Sequence, residues 1–233
     1  MKIALLGYGK MGKTIEQVAL QRGHEIVIKT NEEDGYDLNS ADVAIDFSVP
    51  KAAFFNIAKC LKLGVPVISG TTGWLENYDS AVKICEENKG AFIYAPNYSL
   101  GVNIFFELNK SLAKMMSKLS QYDVSMEEVH HTEKLDAPSG TAISLAEGII
   151  NLHPNYNKWL LNKDEEKAIP ITAKRIDTVP GTHEITYKSD ADSITITHTA
   201  NNREGFALGA VIAAEWILGK TGVYTMKDVL NIG

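Results

Sequence analysis

The 233-residue sequence is poor in cysteine, in basic residues and in long apolar runs. Its two cysteines, Cys60 and Cys85, cannot build a disulfide framework, and neither has a CxxC partner. A disulfide-stapled scaffold is therefore excluded, and no structural metal is expected. Twenty-three Lys and Arg stand against 29 Asp and Glu, a formal net charge of −6, the opposite of the basic excess of a general nucleic-acid binder. The longest apolar stretch, residues 206–219, is about two-thirds of a membrane span and carries Glu215 inside it, so neither nucleic acid nor membrane is expected as a partner. The opening Met1-Lys2-Ile3-Ala4-Leu5-Leu6 has four successive apolar residues before Gly7, fewer than the ~7–15 of a signal-peptide core. Together with two thiols that need no oxidising compartment, this leads to the expectation of a cytoplasmic protein. No internal repeat is visible. What remains is ordinary for a folded domain: 45% hydrophobic and 22% charged residues, which rules out intrinsic disorder. The length is enough for one large core or two small ones without staples.

The first hundred residues alternate between strand-like and helix-like periods. Lys2–Gly7, Glu25–Thr30, Asp42–Phe47, Val65–Ser69 and Ala91–Tyr94 read as short buried strands. Between them, Lys13–Arg22, Lys51–Leu61 and Leu75–Glu87 carry apolar residues at helical spacing. That alternation predicts an α/β, Rossmann-type, doubly wound parallel sheet with right-handed crossovers. After Asn97 the pattern changes to a mixed α+β insert. A helix is expected over 104–119, a strand over 122–130, a helix over 139–152, a polar loop over 153–173, and two antiparallel strands over 183–188 and 193–199. The apolar helix 206–218 returns to the first domain. The expected division is a dinucleotide-binding domain of residues 1–98 and 204–233, and a substrate-binding and oligomerisation domain of residues 99–203.

Gly7-Tyr8-Gly9-Lys10-Met11-Gly12 is a GxGxxG loop between a strand and a helix. The first glycine permits the tight turn, the second lets backbone amides approach a pyrophosphate, and the third allows close helix–strand contact. The helix dipole then faces the phosphate. At the end of the second strand, Lys29 can pair with a 2′-phosphate, or Glu32 can accept from a ribose hydroxyl; the choice between NADH and NADPH stays open. Gly70-Thr71-Thr72-Gly73 and Ala95-Pro96-Asn97-Tyr98-Ser99 follow the fourth and fifth strands, at the carboxyl edge where open α/β sheets bind ligands. Arg203 lies where the insert returns to the first domain, and can meet a cofactor phosphate or form a surface ion pair.

The most informative stretch is Glu127-Glu128-Val129-His130-His131-Thr132-Glu133-Lys134-Leu135-Asp136-Ala137-Pro138-Ser139-Gly140-Thr141-Ala142. Lys134 follows His130 by four residues, and Ser139-Gly140-Thr141 opens a helix whose first-turn amides suit an anion. An imidazole, an ammonium group and a helix N-terminus fit a carboxylate-bearing substrate and proton exchange near neutrality. The same spacing also fits a surface loop in which Asp136 or Ser139 caps a helix. The remaining histidines, His24 and His153 in turns and His183 and His198 on strands, read as structural.

GYGKMG at 7–12, DVAIDFSVP at 42–50, GTTG at 70–73, APNYSLGVN at 95–103, EEVHHTEKLDAPSGTA at 127–142 and the stretch from Ile196 to Tyr224 together resemble the dihydrodipicolinate reductase family, in the same order over nearly the whole chain. The resemblance implies reduction of 4-hydroxy-tetrahydrodipicolinate, a cyclic dicarboxylate, by NADPH or NADH with loss of water, in lysine and diaminopimelate synthesis, by a homotetramer. It implies His130 and Lys134 as catalytic proton-exchanging groups and His131, Gly140 and Thr141 as substrate contacts. Cofactor contacts then fall on Gly7, Tyr8, Gly9, Lys10, Met11, Gly12, Lys29, Gly70, Thr72, Ala95, Asn97, Tyr98 and Arg203. Asn31 stands near the family's usual acidic residue, and the stretch Arg175–Gly181 departs from the family's pattern and yields no site assignment. Two other readings share some of these features. One is a different dehydrogenase of amino or oxo acids, which gives no reason for HHxxK joined to SGT. The other is a dinucleotide-sensing regulator, which would want a basic helix.

Overall fold

The computed structural model describes residues 1–31 and 35–232. In chain order the elements are β1 (Lys2–Leu6), α1 (Lys10–Gln21), β2 (Glu25–Thr30), β3 (Val43–Asp46), α2 (Pro50–Lys62), β4 (Val67–Ser69), α3 (Tyr78–Glu87) and β5 (Ala91–Tyr94). Then come α4 (Leu100–Met116), β6 (Asp123–His130), α5 (Gly140–Ile150), β7 (Lys158–Leu161), β8 (Ala168–Arg175), β9 (Gly181–Lys188) and β10 (Ser193–Ala200). The chain closes with α6 (Glu204–Ile217), β11 (Gly222–Tyr224) and α7 (Met226–Leu230). It folds as two compact units, one of residues 1–103 and 203–233 and one of residues 104–202.

The first unit is a parallel sheet in the order β11-β5-β4-β3-β1-β2. Strand alternation sends Ile3, Leu5, Val43 and Ile45 to a core with Ile15 of α1 and Val211 and Ala214 of α6. It sends Ala4, Leu6 and Ala44 to the opposite core with Ile57, Leu61, Trp74 and Phe92. Burial on both faces is what near-continuous apolar strands require. The sheet has a sixth strand, β11, that the sequence pattern does not signal, because three residues are too few to establish a period. The apolar helix 206–218 buries Ala207, Ala210, Val211, Ala213, Ala214 and Ile217 inside this unit. Among the described residues no helix is long and apolar enough to cross a membrane.

The second unit has a mixed sheet in the order β10-β9-β6-β8-β7. β6 is its central strand, antiparallel to β9 and parallel to β8. Its core contains Phe105 and Leu112 of α4, Val124 and Met126 of β6, Leu145 and Ile149 of α5, and Ile171, Ile185 and Tyr187 from the flanking strands. The expected loop at 153–173 is a correction: it contains β7 and the start of β8. Pro154 and Pro170 and the charged run 163–167 mask these strands. Pro170 is tolerated because β8 pairs with β6 only from Ile171 onward, so its missing N–H removes no bond of that ladder.

Candidate active site

In the first unit, Gly7 ends β1 at φ +98° and donates its N–H to Thr30 O at 2.8 Å. A Cβ there would stand 2.1 Å from Phe47 O, and one on Gly12 would stand 2.4 Å from Gly7 O. Gly9 differs: a Cβ there would meet nothing within 4 Å. Gly9 is also the residue before α1, with no side-chain cap, so the head of α1 is open to an anion. The loop thus fits a dinucleotide pyrophosphate, with two glycines needed for the turn and its packing and one leaving room for a ligand.

The adenosine-side residues are already engaged. Lys29 Nζ lies 2.6 Å from Glu16 Oε1 and over the Tyr8 ring, and the Tyr8 hydroxyl donates to Glu16. Asn31 Oδ1 accepts from Tyr8 N–H at 2.6 Å. Glu32, considered for the ribose, lies outside the described residues. Lys10 is exposed, and Met11 lines a cavity of about 280 Å³ with Phe47, Ser48, Gly70, Thr71 and Thr72.

The wall of that cavity is held by a buried carboxylate. Asp46, at the carboxyl end of β3, accepts from Ser48 Oγ at 2.6 Å, Asn56 Nδ2 at 3.0 Å, Ser69 Oγ at 2.7 Å and Thr71 Oγ1 at 2.8 Å. Burial pushes its carboxyl up and these donors oppose the shift. Thr71 is thereby used internally, which leaves Thr72 as the exposed hydroxyl. Ala95 and Tyr98 are buried, and the Tyr98 hydroxyl donates to Ser69 O at 3.0 Å. The Tyr98 side chain therefore serves the sheet. Asn97 Oδ1 accepts from Ser99 N–H, and Arg203 is exposed at the head of α6.

In the second unit the buried face of β6 changes character along its length. Val124, Met126, Glu128 and His130 alternate inward. The first two pair in register with Tyr187 and Ile185 in the apolar core, and the last two with His183 and Arg175. Both Glu128 oxygens accept from Ser139 N–H, at 3.1 and 3.0 Å. Arg175 Nη2 donates to Glu128 Oε1 at 3.1 Å and to Asp136 O at 2.6 Å, and Arg175 Nε donates to Lys134 O at 3.1 Å. Ser139 Oγ lies 3.1 Å from His183 Nε2 and accepts from Ala142 N–H, so it is the N-cap of α5. The amides of Gly140 and Thr141 head that helix, and Gly140 is exposed. Lys134 pairs with Asp136 at 2.8 Å. His131 has left the strand and is half-buried, while His130 packs edge-on to His183 with ring centres 5.1 Å apart.

Burial opposes the charge on Glu128 most strongly, but Ser139, Arg175 and His130 outweigh it and hold the carboxyl below its ordinary range. Burial lowers His130, against the pull of Glu128, with Lys134 and Arg175 adding to the lowering. His183 is pushed down to about 4, chiefly by burial. Glu128, His130 and His183 bring three ligand-type atoms within 4.8 Å of one another, the donor set of a divalent metal. Arg175 and the Ser139 amide already hydrogen-bond the carboxylate.

His130, Lys134, Gly140 and Thr141 lie on one segment of the chain, and the structure places three further side chains, Glu128, Arg175 and His183, against parts of it. Glu128 was within reach of sequence reasoning, since two residues on one strand share a face. Arg175 and His183 depend on the β6–β8 and β6–β9 registers; His183, read from the sequence as structural, is buried and bonded to the helix cap Ser139. Because the unfolded chain takes a proton on His183 near its ordinary 6.5 and the folded chain resists until about 4, stability should be full above that window and fall as pH drops through it. Denaturant midpoints measured between pH 7 and 4 should show this slope, and His183→Gln should flatten it; an unchanged slope would refute the linkage.

Residues 1–98 match the family described as dihydrodipicolinate reductase, N-terminus, and residues 101–230 its C-terminus. A relative from Christiangramia forsetii, 4-hydroxy-tetrahydrodipicolinate reductase, is 57% identical, covering 99% of this chain and 98% of its own. One of the same name from Neisseria gonorrhoeae is 33% identical over 93% and 84%. A solved structure, dipicolinate-bound dihydrodipicolinate reductase from Paenisporosarcina sp. TG-14, superposes with a TM-score of 0.77 at 24% identity, covering 97% of both chains, and bears on the fold. With both halves matched in order and a relative more than half identical from end to end, the chain belongs to the dihydrodipicolinate reductase family.

Proposed function

We propose that the protein reduces 4-hydroxy-tetrahydrodipicolinate to tetrahydrodipicolinate with NADH or NADPH, releasing water, in lysine and diaminopimelate synthesis. The observation that carries the reading is the end-to-end relative of that name. The geometry supports it: one unit offers an open glycine loop at the head of α1, and the other an imidazole, an ammonium group and the head of α5 on one segment. In this reading residues 1–98 and 204–233 bind the dinucleotide and residues 99–203 bind the substrate. When bound, the reduced dinucleotide supplies the hydride. The protein's share is binding, orientation and one proton: a hydride and a proton enter, and the 4-hydroxyl leaves as water.

The substrate is a dianion. The amides of Gly140 and Thr141 and the side chain of His131 suit its carboxylates, and Lys134 exchanges Asp136 for the ligand as counter-charge. His130, neutral in the unliganded site, gains affinity for a proton as negative charge arrives beside it, so that it or Lys134 can deliver the proton that balances the hydride. Lys10, Met11, Gly70, Thr72, Ala95, Asn97 and Arg203, with the backbone of Tyr98, are the proposed remaining dinucleotide contacts, and Lys29 joins them if the ligand displaces Glu16. We further propose a homotetramer. β10 is an edge strand whose residues are exposed or half-exposed along its whole length, a ready template for pairing with another copy.

His130→Ala and Lys134→Ala should each lower turnover by roughly 100-fold or more, with dinucleotide affinity unchanged. Loss of dinucleotide binding in both would refute the division of labour. Gly9→Ala should fold normally, since nothing stands near its Cβ, yet bind the dinucleotide more weakly by fluorescence titration; unchanged affinity would remove the pyrophosphate from this loop. Light scattering on the purified protein should report four chain masses, and a single chain mass at micromolar concentration would overturn the tetramer.

A further inference from the structure

Glu128 is fully buried, in a place where its apolar neighbours on the same face, Val124 and Met126, show that a hydrophobic side chain would pack. A buried carboxylate is costly, and an apolar replacement of similar volume is often at least as stable. Its contacts indicate what it does instead. Oε1 takes Arg175, and Arg175 in turn donates to the carbonyls of Lys134 and Asp136, so the carboxylate anchors the loop that carries Lys134. Oε2 faces the imidazoles: His130 Nδ1 at 3.5 Å and His183 Nε2 at 3.8 Å. His130 Nδ1 is buried without a hydrogen-bond partner among the described residues, and that carboxylate stands 3.5 Å from it. The other nitrogen faces Gly181, where a Cβ would come to 3.1 Å from Nε2; glycine keeps that flank clear.

We infer that Glu128 is a positioning residue for proton transfer: it keeps the Nδ1 proton of His130 turned inward, presents Nε2 as the proton-exchanging atom, and sets the Lys134 loop through Arg175. The inference rests on the reading of His130 as a proton-exchanging group. The pattern is an acid–imidazole pair, in which the carboxylate fixes tautomer and ring orientation and favours the imidazolium. The charged and titratable groups facing His130 are Glu128 on its own strand, Lys134 and Asp136 on the loop, Arg175 on β8 and His183 on β9. Removing the Glu128 charge leaves the cations Lys134 and Arg175 opposed by Asp136 alone.

The test uses the full-length protein. In wild type, 15N–1H correlation spectra, with His130→Gln for assignment, should show neutral His130 carrying its proton on Nδ1; a proton on Nε2 overturns the inference and needs no variant at Glu128. Glu128→Gln should lower kcat by roughly 100-fold with dinucleotide affinity unchanged, and should move the alkaline limb of the kcat profile to lower pH. Glu128→Asp keeps the charge, so its limb should stay near the wild-type position even where kcat falls. Loss of kcat in Glu128→Gln with the limb unmoved overturns the positioning role in favour of a structural one. Wild-type turnover and pH profile in His130→Gln would instead overturn the reading of His130 itself, a failure distinct from that of Glu128.

Discussion

One constraint organises the second unit: a carboxylate fully removed from water must have its lone pairs satisfied by groups that cannot drift away. Glu128 meets it with a backbone amide from the head of α5 and a guanidinium from β8, and the imidazoles of β6 and β9 stand 3.5 and 3.8 Å from Oε2. Each partner comes from a different element, so satisfying one buried charge fixes the loop, the helix start and three strands relative to one another. The groups proposed to exchange protons and bind carboxylates are the ones so fixed. Preorganisation of this kind is what makes electrostatic stabilisation effective, because no reorientation is needed when charge develops.

The first unit solves the same problem at its own ligand edge. Asp46 ends β3 and gathers Ser48, Asn56, Ser69 and Thr71, tying the turn after β4 to α2 and β3. The loop that lines the small cavity is therefore rigid from below, while Gly9 leaves the phosphate side open. In both units a buried carboxylate sits one layer behind the residues that would meet a ligand, using short polar side chains or a single cation as its partners.

How much of this is visible in the primary structure follows from the range of each interaction. The parallel sheet declares itself because strands buried on both faces are almost wholly apolar and the helices between them carry a 3.6-residue period. The GxGxxG loop and the HHxxK–SGT segment are contiguous, so they can be picked out locally as motifs, although the spacing of the second also fits a capped surface loop. Glu128 is two residues from His130 and needs only the two-residue period of a strand. Arg175 lies 45 residues from His130, and His183 lies 55 from Glu128; only the pairing register of β6 with β8 and β9 joins them. That register was obscured because Pro154, Pro170 and a charged run hide β7 and β8.

The protonation pattern of the free site gives the arrangement its sense. Ser139, Arg175 and His130 hold the Glu128 carboxyl below its ordinary range against burial, and burial lowers both imidazoles, so two carboxylates, Glu128 and Asp136, face two basic side chains, Arg175 and Lys134. In the proposed reading a doubly anionic ring would make the cluster net negative, and a proton taken by the imidazole beside the carboxylate would offset one of the two added charges. Lys134 is held by an exposed aspartate, an ion pair that water screens and that holds the lysine only weakly. Arg175 is held by a buried one and does not leave. If the proposed substrate binds here, Lys134 is the cation free to follow it and Arg175 the one that stays, and the difference lies in whether the partner carboxylate faces solvent or the core.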